Sequence, residues 1–168
     1  MRGSTRSGFR VSVADLLGDP GRRRNVPIVA DVDWHLELSR IGPRLEADLV
    51  LESTAGGVLV KGPVSTTVAH TCHRCLTDWE EELAVEVADV MGLDGADGGD
   101  GYPLDDEVAD LEQPIRDRLL LETPLLPACR EGCLGLCAVC GADLNTGSCP
   151  GHDEETTSPF ASLRDLLT

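Results

Sequence analysis

Cysteine is the residue type in this chain whose spacing most clearly predicts chemistry. Seven cysteines occur among 168 residues, at positions 72, 75, 129, 133, 137, 140 and 149. Their odd number, in a chain without an apolar secretory segment at its start, argues against a framework of disulfides. Pairs of cysteines two residues apart are typical of tetrahedral metal sites, and sulfur-rich sites select zinc or an iron–sulfur cluster.

The densest group of cysteines predicts a closed, structural Zn²⁺ site near the carboxyl terminus. The preferred ligands are Cys133, Cys137, Cys140 and Cys149. Cys129 lies close by in sequence, and His152 could replace Cys149 after the turn at 145–147. Four protein ligands leave no open position for a substrate, so the ion would order the polypeptide and take no part in a reaction.

A separate pair, Cys72 and Cys75, follows a predicted strand and leaves several interpretations open. The pair could bind metal as a second site, or complete a ribbon with Cys137 and Cys140, although the intervening segment far exceeds the usual gap of about 15–20 residues. Alternatively, these thiols are reduced, buried and inert. A redox role lacks the βαβ pattern that surrounds thioredoxin-like pairs.

Other catalytic signals are weak. Four histidines occur, at 35, 70, 73 and 152, but no nucleophile elbow, phosphate loop or dinucleotide fingerprint accompanies them. His73 and Arg74 lie between two cysteines, where they could support the metal site or contact a partner. The sequence therefore predicts a protein that is not an enzyme and has no small-molecule substrate.

The cysteines are carried by segments that predict an antiparallel sheet. Apolar and polar residues alternate over 44–52, 58–70 and 79–90, with a turn signal at 55–57. An earlier segment, 29–38, is a candidate fourth strand. Gly62-Pro63 interrupts the second segment, which predicts a bulge or an edge position there. The pattern is typical of a β-meander or a small open barrel.

One helix is predicted to pack on this sheet. Leu111, Ile115 and Leu119 recur every four residues, Pro114 suits a first helical turn, and Thr123-Pro124 ends the segment. A short closing helix is predicted after Ser158-Pro159. The predicted fold class is therefore α+β: an antiparallel β-meander or small open barrel, a packing helix and a zinc-knuckle tail.

Three regions are predicted along the chain. Residues 1–25 form a flexible, arginine-rich arm with one short ordered segment, where only Val11, Val13, Leu16 and Leu17 are expected to be buried. Residues 26–126 form the sheet and helix. An acidic, glycine-rich insert at 92–110 interrupts the second region. Residues 127–168 form the cysteine-rich, metal-binding tail with its terminal helix.

The net charge of the chain indicates what kind of partner the protein binds. Fourteen basic and 30 acidic side chains give a formal net charge of −16. Such a body repels nucleic-acid phosphate and attracts basic proteins. The first 24 residues, with six arginines and two aspartates, are the feature that favours contact with rRNA. No apolar run is long enough to cross a membrane, and a cytoplasmic location is expected.

Several motifs together resemble the YceD-like family, whose members are described as large ribosomal RNA subunit accumulation proteins. The segments that carry the resemblance are Cys72–Leu76 (CHRCL), Asp110–Ile115, Leu121–Leu125, Cys133–Cys137, Cys140-Gly141 and Leu144-Asn145. The last three are similar to the bacterial form with a cysteine-rich tail. The chain departs from that form after Cys149, where Pro150-Gly151-His152 stands in place of a further cysteine.

The resemblance implies a non-enzymatic role in accumulation of 23S rRNA and assembly of the large ribosomal subunit. The partner expected from it is a large-subunit ribosomal protein or an assembly intermediate, with rRNA contacted through the arginine-rich arm. Two alternatives remain: a zinc-stabilised interaction or regulatory module unrelated to ribosomes, and an enzyme, either a zinc hydrolase or a thiol oxidoreductase.

Overall fold

The computed structural model describes residues 8–92, 101–147, 149, 151 and 152. Within these residues the chain forms eight strands followed by one helix. The strands are β1 (Arg10–Ser12), β2 (Arg23–Asp31), β3 (Trp34–His35), β4 (Ser39–Thr54), β5 (Gly57–Thr71), β6 (Asp78–Gly92), β7 (Tyr102–Pro103) and β8 (Val108–Asp110), and the helix is α1 (Glu112–Glu122).

A six-stranded sheet dominates the molecule and confirms the predicted α+β class. Its order is β2-β4-β5-β6-β7, with β3 also paired to β4. The long strands β4, β5 and β6 form the predicted antiparallel meander. Among the described residues β2 and β7 are the outer strands and do not pair, so the sheet is open and is not a closed barrel.

The interruption at Gly62-Pro63 has a different cause from the predicted bulge or edge. β5 lies in the middle of the sheet, and Pro63 pairs with Glu86 of β6. Gly62 has a φ of +145°, and a Cβ atom there would collide with the carbonyl of Asp48 on β4. Glycine is therefore required by a close approach of two backbones. The register shift of this sheet lies on β4 instead, between Ile41 and Leu45.

The amino-terminal residues from Gly8 onward, which belong to the predicted arm, pack against the rest of the protein. Phe9, Val13 and Leu16 are buried in the hydrophobic core. β1 pairs antiparallel with β8, and β2 already begins at Arg23. Few apolar residues suffice to anchor this segment, because each one is almost fully buried. Residues 1–7 lie outside the described residues.

Helix α1 matches the predicted segment and packs beside β6. Leu111, Ile115 and Leu119 are fully buried, as their spacing predicted. The second half of the acidic insert is also ordered by core contacts, because Leu104 and Ala109 are buried between β7 and α1. Residues 93–100 and the predicted closing helix after Ser158-Pro159 lie outside the described residues.

The described part of the chain contains no helix long and apolar enough to cross a membrane. Its hydrophobic core extends from Phe9 to Leu119, and among the described residues after α1 only Pro127 and Cys133 have buried apolar side chains. The described residues after α1 therefore do not form a hydrophobic core of their own.

Candidate metal centres

Two groups of cysteine and histidine side chains lie at one end of the sheet. The first group, called the knuckle cluster, consists of Cys72, Cys75, Cys129 and Cys133. The second, called the tail cluster, consists of Cys137, Cys140, Cys149 and His152. Within each group the four candidate ligand atoms lie within 4.8 Å of one another, close enough to hold one metal ion.

The turn between β5 and β6 supplies half of the knuckle cluster. The backbone N–H of Cys72 donates to the carbonyl of Thr77 at 2.9 Å, and the N–H of Leu76 donates to the carbonyl of Cys72 at 3.0 Å. Leu76 adopts a φ of 60°, which lets the chain reverse within this short turn. The turn therefore brings the sulfur atoms of Cys72 and Cys75 close to each other.

The segment after α1 supplies the other half. His73 donates its backbone N–H to the carbonyl of Pro127 at 2.9 Å, which brings the chain before Cys129 against the turn. Arg74 donates through Nη1 to the carbonyl of Cys133 at 3.0 Å, and its own carbonyl accepts the N–H of Leu136 at 3.1 Å. His73 and Arg74 thus join the two halves of the knuckle cluster through backbone hydrogen bonds and the Arg74 guanidinium.

The tail cluster is built around a second tight turn. The N–H of Gly141, at a φ of 73°, donates to the carbonyl of Cys137 at 2.9 Å. The Sγ atom of Cys149 lies 3.6 Å from that of Cys137 and 3.7 Å from that of Cys140. His152 Nε2 lies 2.9 Å from the Cys149 sulfur and 3.3 Å from the Cys137 sulfur.

The sulfur separations fit tetrahedral metal coordination. Zn–S bonds of about 2.3 Å place two sulfurs of a tetrahedron about 3.8 Å apart. In the knuckle cluster, Cys75 and Cys129 are 3.6 Å apart and Cys72 and Cys133 are 3.9 Å apart. A disulfide would need about 2.05 Å, and all seven cysteines are free thiols. The donor sets are therefore compatible with one metal ion in each cluster.

Electrostatics in the knuckle cluster favour a bound cation. Backbone N–H groups, led by that of Cys129, lower the pKa of the Cys72 thiol to about 5. Desolvation of its sulfur and hydrogen bonds with neighbouring thiols raise the pKa of Cys129 to about 12. The site thus favours a thiolate at Cys72 and disfavours a further one at Cys129. A cation would relieve that repulsion and allow all four sulfurs to bind it as thiolates.

The same effect operates at the start of the tail cluster. Backbone N–H groups of Cys140 and Val139 lower the pKa of Cys137 to about 6. The Cys-x-x-Cys turn directs these N–H groups at the first sulfur, and Gly141, with its φ of 73°, lets the chain turn there. The first cysteine of each cluster is therefore prepared to act as a thiolate ligand.

The structure distributes the four ligands that sequence spacing favoured between the two clusters. Cys133 lies in the knuckle cluster with Cys129, whereas Cys137, Cys140 and Cys149 lie together in the tail cluster. His152 lies beside Cys149 as a fourth group of that cluster, where the sequence offered it as a replacement. Cys72 and Cys75 lie in a different group from Cys137 and Cys140, so the geometry does not form the ribbon that would join these two pairs. The β5–β6 turn meets Cys129 and Cys133 through tertiary packing, which spacing along the chain does not reveal.

Six exposed apolar side chains lie in the β5–β6 turn and between positions 121 and 139 of the sequence, the regions that also carry most of the candidate ligands. We call the following set the leucine surface: Leu76, Leu121, Leu125, Leu126, Leu134 and Val139. Their exposed fractions range from 60 % for Leu76 to 80 % for Leu121. Several of these residues are adjacent to ligand candidates in sequence, so a metal ion that orders the clusters would also position this surface. Grouped exposed apolar residues are typical of protein contact sites.

Comparison with known proteins gives a family match over both clusters. The family described as "Large ribosomal RNA subunit accumulation protein YceD" matches residues 60–167. An uncharacterized protein of Mycobacterium tuberculosis is 38 % identical over 141 residues, which cover 79 % of this chain and 67 % of that protein. An uncharacterized protein of Mycobacterium leprae is 32 % identical over 153 residues, which cover 86 % of this chain and 69 % of the length of that protein.

A plant relative carries a functional name. The maize protein named "Large ribosomal RNA subunit accumulation protein YCED homolog 1, chloroplastic" is 39 % identical over 183 aligned residues, covering 92 % of this chain and 61 % of its own length. No solved structure matches the chain significantly.

Proposed function

Because the chain belongs to the YceD family of large ribosomal RNA subunit accumulation proteins, we propose that it is a non-enzymatic factor needed for accumulation of 23S rRNA and assembly of the large ribosomal subunit. The family match over residues 60–167 is the observation that carries this proposal. The proposed place of action is the cytoplasm. The direct partner is a large-subunit ribosomal protein, held within an assembly intermediate.

The leucine surface supports a protein partner. Its six side chains are exposed and lie outside the hydrophobic core, and three of them, Leu76, Leu134 and Val139, are next to candidate metal ligands in the sequence. Apolar groups bury poorly against the charged backbone of RNA, whereas they contribute directly to protein–protein contact. In this proposal the clusters order the surface and the surface contacts the partner.

The distribution of charge also favours a basic protein over naked RNA. The described arginines of the amino-terminal segment are already paired with carboxylates: Arg10 with Asp105 at 2.9 Å, Arg22 with Asp15 at 4.0 Å, Arg23 with Glu52 at 3.0 Å and Arg24 with Asp15 at 2.7 Å. These pairs reduce the positive field that the sequence suggested for this segment. Contact with rRNA through Arg2 and Arg6 would concern residues outside those described.

The metal proposed for both clusters is structural Zn²⁺. Sets of four thiolates, and of three thiolates with one imidazole, are the donors that structural zinc prefers. Since each set already supplies four protein ligands, a bound ion would have no open position for a substrate. Stabilisation of the carboxyl-terminal part, and not reaction chemistry, is the role proposed for it.

Depletion of the protein in its own host tests the functional proposal. We expect the ratio of 23S to 16S rRNA to fall and free large subunits to decline in sucrose gradients. Expression of the wild-type chain should restore both, and a chain with Leu125→Ser and Leu126→Ser should restore them less well. A matched control carries Val29→Ser, which changes an exposed apolar residue on β2, far from the clusters in the fold. Unchanged rRNA ratios after depletion would refute the proposal.

A further inference from the structure

The side chain of Asn145 connects the two cysteine clusters. In the sequence Asn145 lies between Cys140 and Cys149, which are candidate ligands of the tail cluster. Its amide nitrogen Nδ2, however, donates to Cys133 Sγ at 3.6 Å, and Cys133 belongs to the knuckle cluster. One half-buried amide therefore joins the chain of one cluster to a sulfur of the other.

Four hydrogen bonds fix the orientation of this amide. Its Oδ1 accepts from Arg130 Nη2 at 2.7 Å and from the backbone N–H of Leu134 at 2.9 Å. Its Nδ2 donates to Asp143 Oδ1 at 2.7 Å as well as to Cys133. Exchange of the two amide atoms would set N–H groups against the donors of Arg130 and Leu134. The group that faces the Cys133 sulfur is therefore a hydrogen-bond donor.

The loop that carries Asn145 is closed by the tail cluster. We call residues 141–147 the tail loop. Asp143 Oδ1 accepts the backbone N–H of Asn145 at 2.9 Å, which holds the centre of the loop in one conformation. Cys140 directly precedes the loop and Cys149 follows it, with their sulfurs 3.7 Å apart. If both cysteines bind one ion, the two ends of the loop are fixed, and the position of Asn145 is fixed with them.

We propose that Asn145 is a positioning residue that couples the two metal centres, so that metal in the tail cluster increases retention of metal in the knuckle cluster. A hydrogen bond to a ligand atom orients that ligand, and loss of such a contact typically weakens metal binding by about 10–100-fold. Coupling between two sites is reciprocal, so the knuckle cluster increases retention in the tail cluster by the same factor. This inference rests on one part of the proposed function, namely that each cluster binds its own ion.

Coupled clusters would order the leucine surface as one unit. Leu134 directly follows Cys133 of the knuckle cluster, and Val139 directly precedes Cys140 of the tail cluster. The backbone N–H of Leu134 is also one of the donors to Asn145. Loss of either ion would therefore loosen both of these exposed apolar residues together.

Cadmium NMR of the full-length chain tests the coupling. A site of four sulfurs and a site of three sulfurs and one nitrogen give separate cadmium resonances, and soft thiolates bind this metal well. The measure of retention is the EDTA concentration that removes half of the knuckle resonance. We expect it to be about tenfold lower than wild type in Asn145→Ala and in Cys149→Ser. The double variant should lie within about threefold of either single variant, because both changes remove the same coupling.

Two further variants separate the sulfur contact from general disruption of the loop. Asn145→Asp keeps an oxygen acceptor but removes the N–H that faces Cys133, and it should lose at least as much retention as Asn145→Ala. Both changes at this position should also shift the knuckle resonance itself, because a hydrogen bond alters the electron density of a metal-bound sulfur. The matched control is Thr146→Ala, which removes a hydroxyl that donates to the carbonyl of Asp143 at 3.4 Å. It should stay within about threefold of wild type, without a shift.

The assignment is wrong if Cys149→Ser still costs about tenfold in a chain that carries Asn145→Ala. The coupling would then run through another contact, such as the hydrogen bond from Leu136 N–H to the carbonyl of Arg74. Equal losses in Thr146→Ala and Asn145→Ala would also overturn it. A single cadmium resonance in the wild type would refute the two-ion premise, an outcome that needs no variant and is independent of rRNA levels. Far-UV circular dichroism of each variant identifies any loss of the fold.

Discussion

Two buried serines of β4 differ in whether their hydroxyl group has a hydrogen-bond partner. Ser39 is 5 % exposed and its Oγ lies 2.7 Å from His70 Nδ1. Ser53 is 3 % exposed, and its Oγ has no hydrogen-bond partner among the described residues. One hydroxyl is therefore part of a connected polar network, whereas the other is buried at a cost.

Alanine substitutions at these two serines should act in opposite directions. Ser39→Ala leaves a buried imidazole nitrogen without its partner and should lower the free energy of unfolding by about 1–3 kcal/mol. Ser53→Ala removes an unpaired buried hydroxyl and should leave that free energy unchanged or raise it by up to about 1 kcal/mol. Urea denaturation at neutral pH measures both. Equal destabilisation by the two variants would contradict the network described for His70.

Single cysteine substitutions distinguish two metal sites from one. If each cluster binds its own ion, the wild-type chain holds two zinc ions, Cys133→Ser and Cys149→Ser each hold one, and the double variant holds none. A single site formed by Cys133, Cys137, Cys140 and Cys149, as spacing favoured, would give one ion in the wild type and none in either variant. Native mass spectrometry or metal analysis of purified protein reads the stoichiometry directly.

At the scale of elements, β4 connects the sheet through one carboxylate. Glu52 on β4 accepts from Arg23 of β2 at 3.0 Å and from Lys61 of β5 at 3.0 Å. Hydrogen bonds from Lys61 and then Arg23 lower the pKa of Glu52 below its ordinary value of 4.5. The carboxylate therefore links three neighbouring strands in its charged form only.

The contribution of Glu52 to stability should depend on pH. Since its pKa is lower in the folded state, its charged form stabilises the fold above the ordinary value of 4.5, and that stabilisation disappears as the pH falls through the lower, folded-state pKa. Glu52→Gln should therefore lower the melting temperature at pH 7 and have no effect near pH 2. The control Glu86→Gln, at an exposed position of β6, should behave like wild type at both values. A pH-independent effect of Glu52→Gln would refute this account.

At the scale of the whole molecule, two kinds of force hold two parts of the chain. The sheet, α1 and the amino-terminal segment enclose one hydrophobic core that extends from Phe9 to Leu119. The part after α1 is held by backbone hydrogen bonds to the β5–β6 turn and by the two clusters. The first part resembles an ordinary globular domain in its energetics, whereas the second is the part that we propose a metal ion stabilises.

Removal of metal should unfold only the second part. After chelation by EDTA or phenanthroline, amide hydrogen exchange should become fast over 128–147 and stay slow in β4 and β5. The far-UV signal of the sheet should persist, because no core residue is lost. Re-addition of zinc should restore protection. Slow exchange over 128–147 in metal-free protein would contradict the role assigned to the clusters.

Local patterns were sufficient to predict the meander and the helix. Alternation over 44–52, 58–70 and 79–90 depends only on which face of a strand is buried, and the spacing of Leu111, Ile115 and Leu119 depends only on helical geometry. Both are properties of neighbours in the chain, so β4, β5, β6 and α1 agree with them. The cysteines likewise predicted a region that could bind metal, because residue type and short spacing along the chain indicate which side chains can act as metal ligands.

Local sequence patterns did not predict which segments, distant along the chain, contact each other in the fold. Spacing grouped Cys133 with Cys137, yet packing of the post-helical segment on the β5–β6 turn places Cys133 beside Cys72. Phe9 occurs in a polar, arginine-rich stretch, and only the surrounding core shows that it is buried. Such pairings depend on the free energy of packing the whole chain, which no local window of sequence contains.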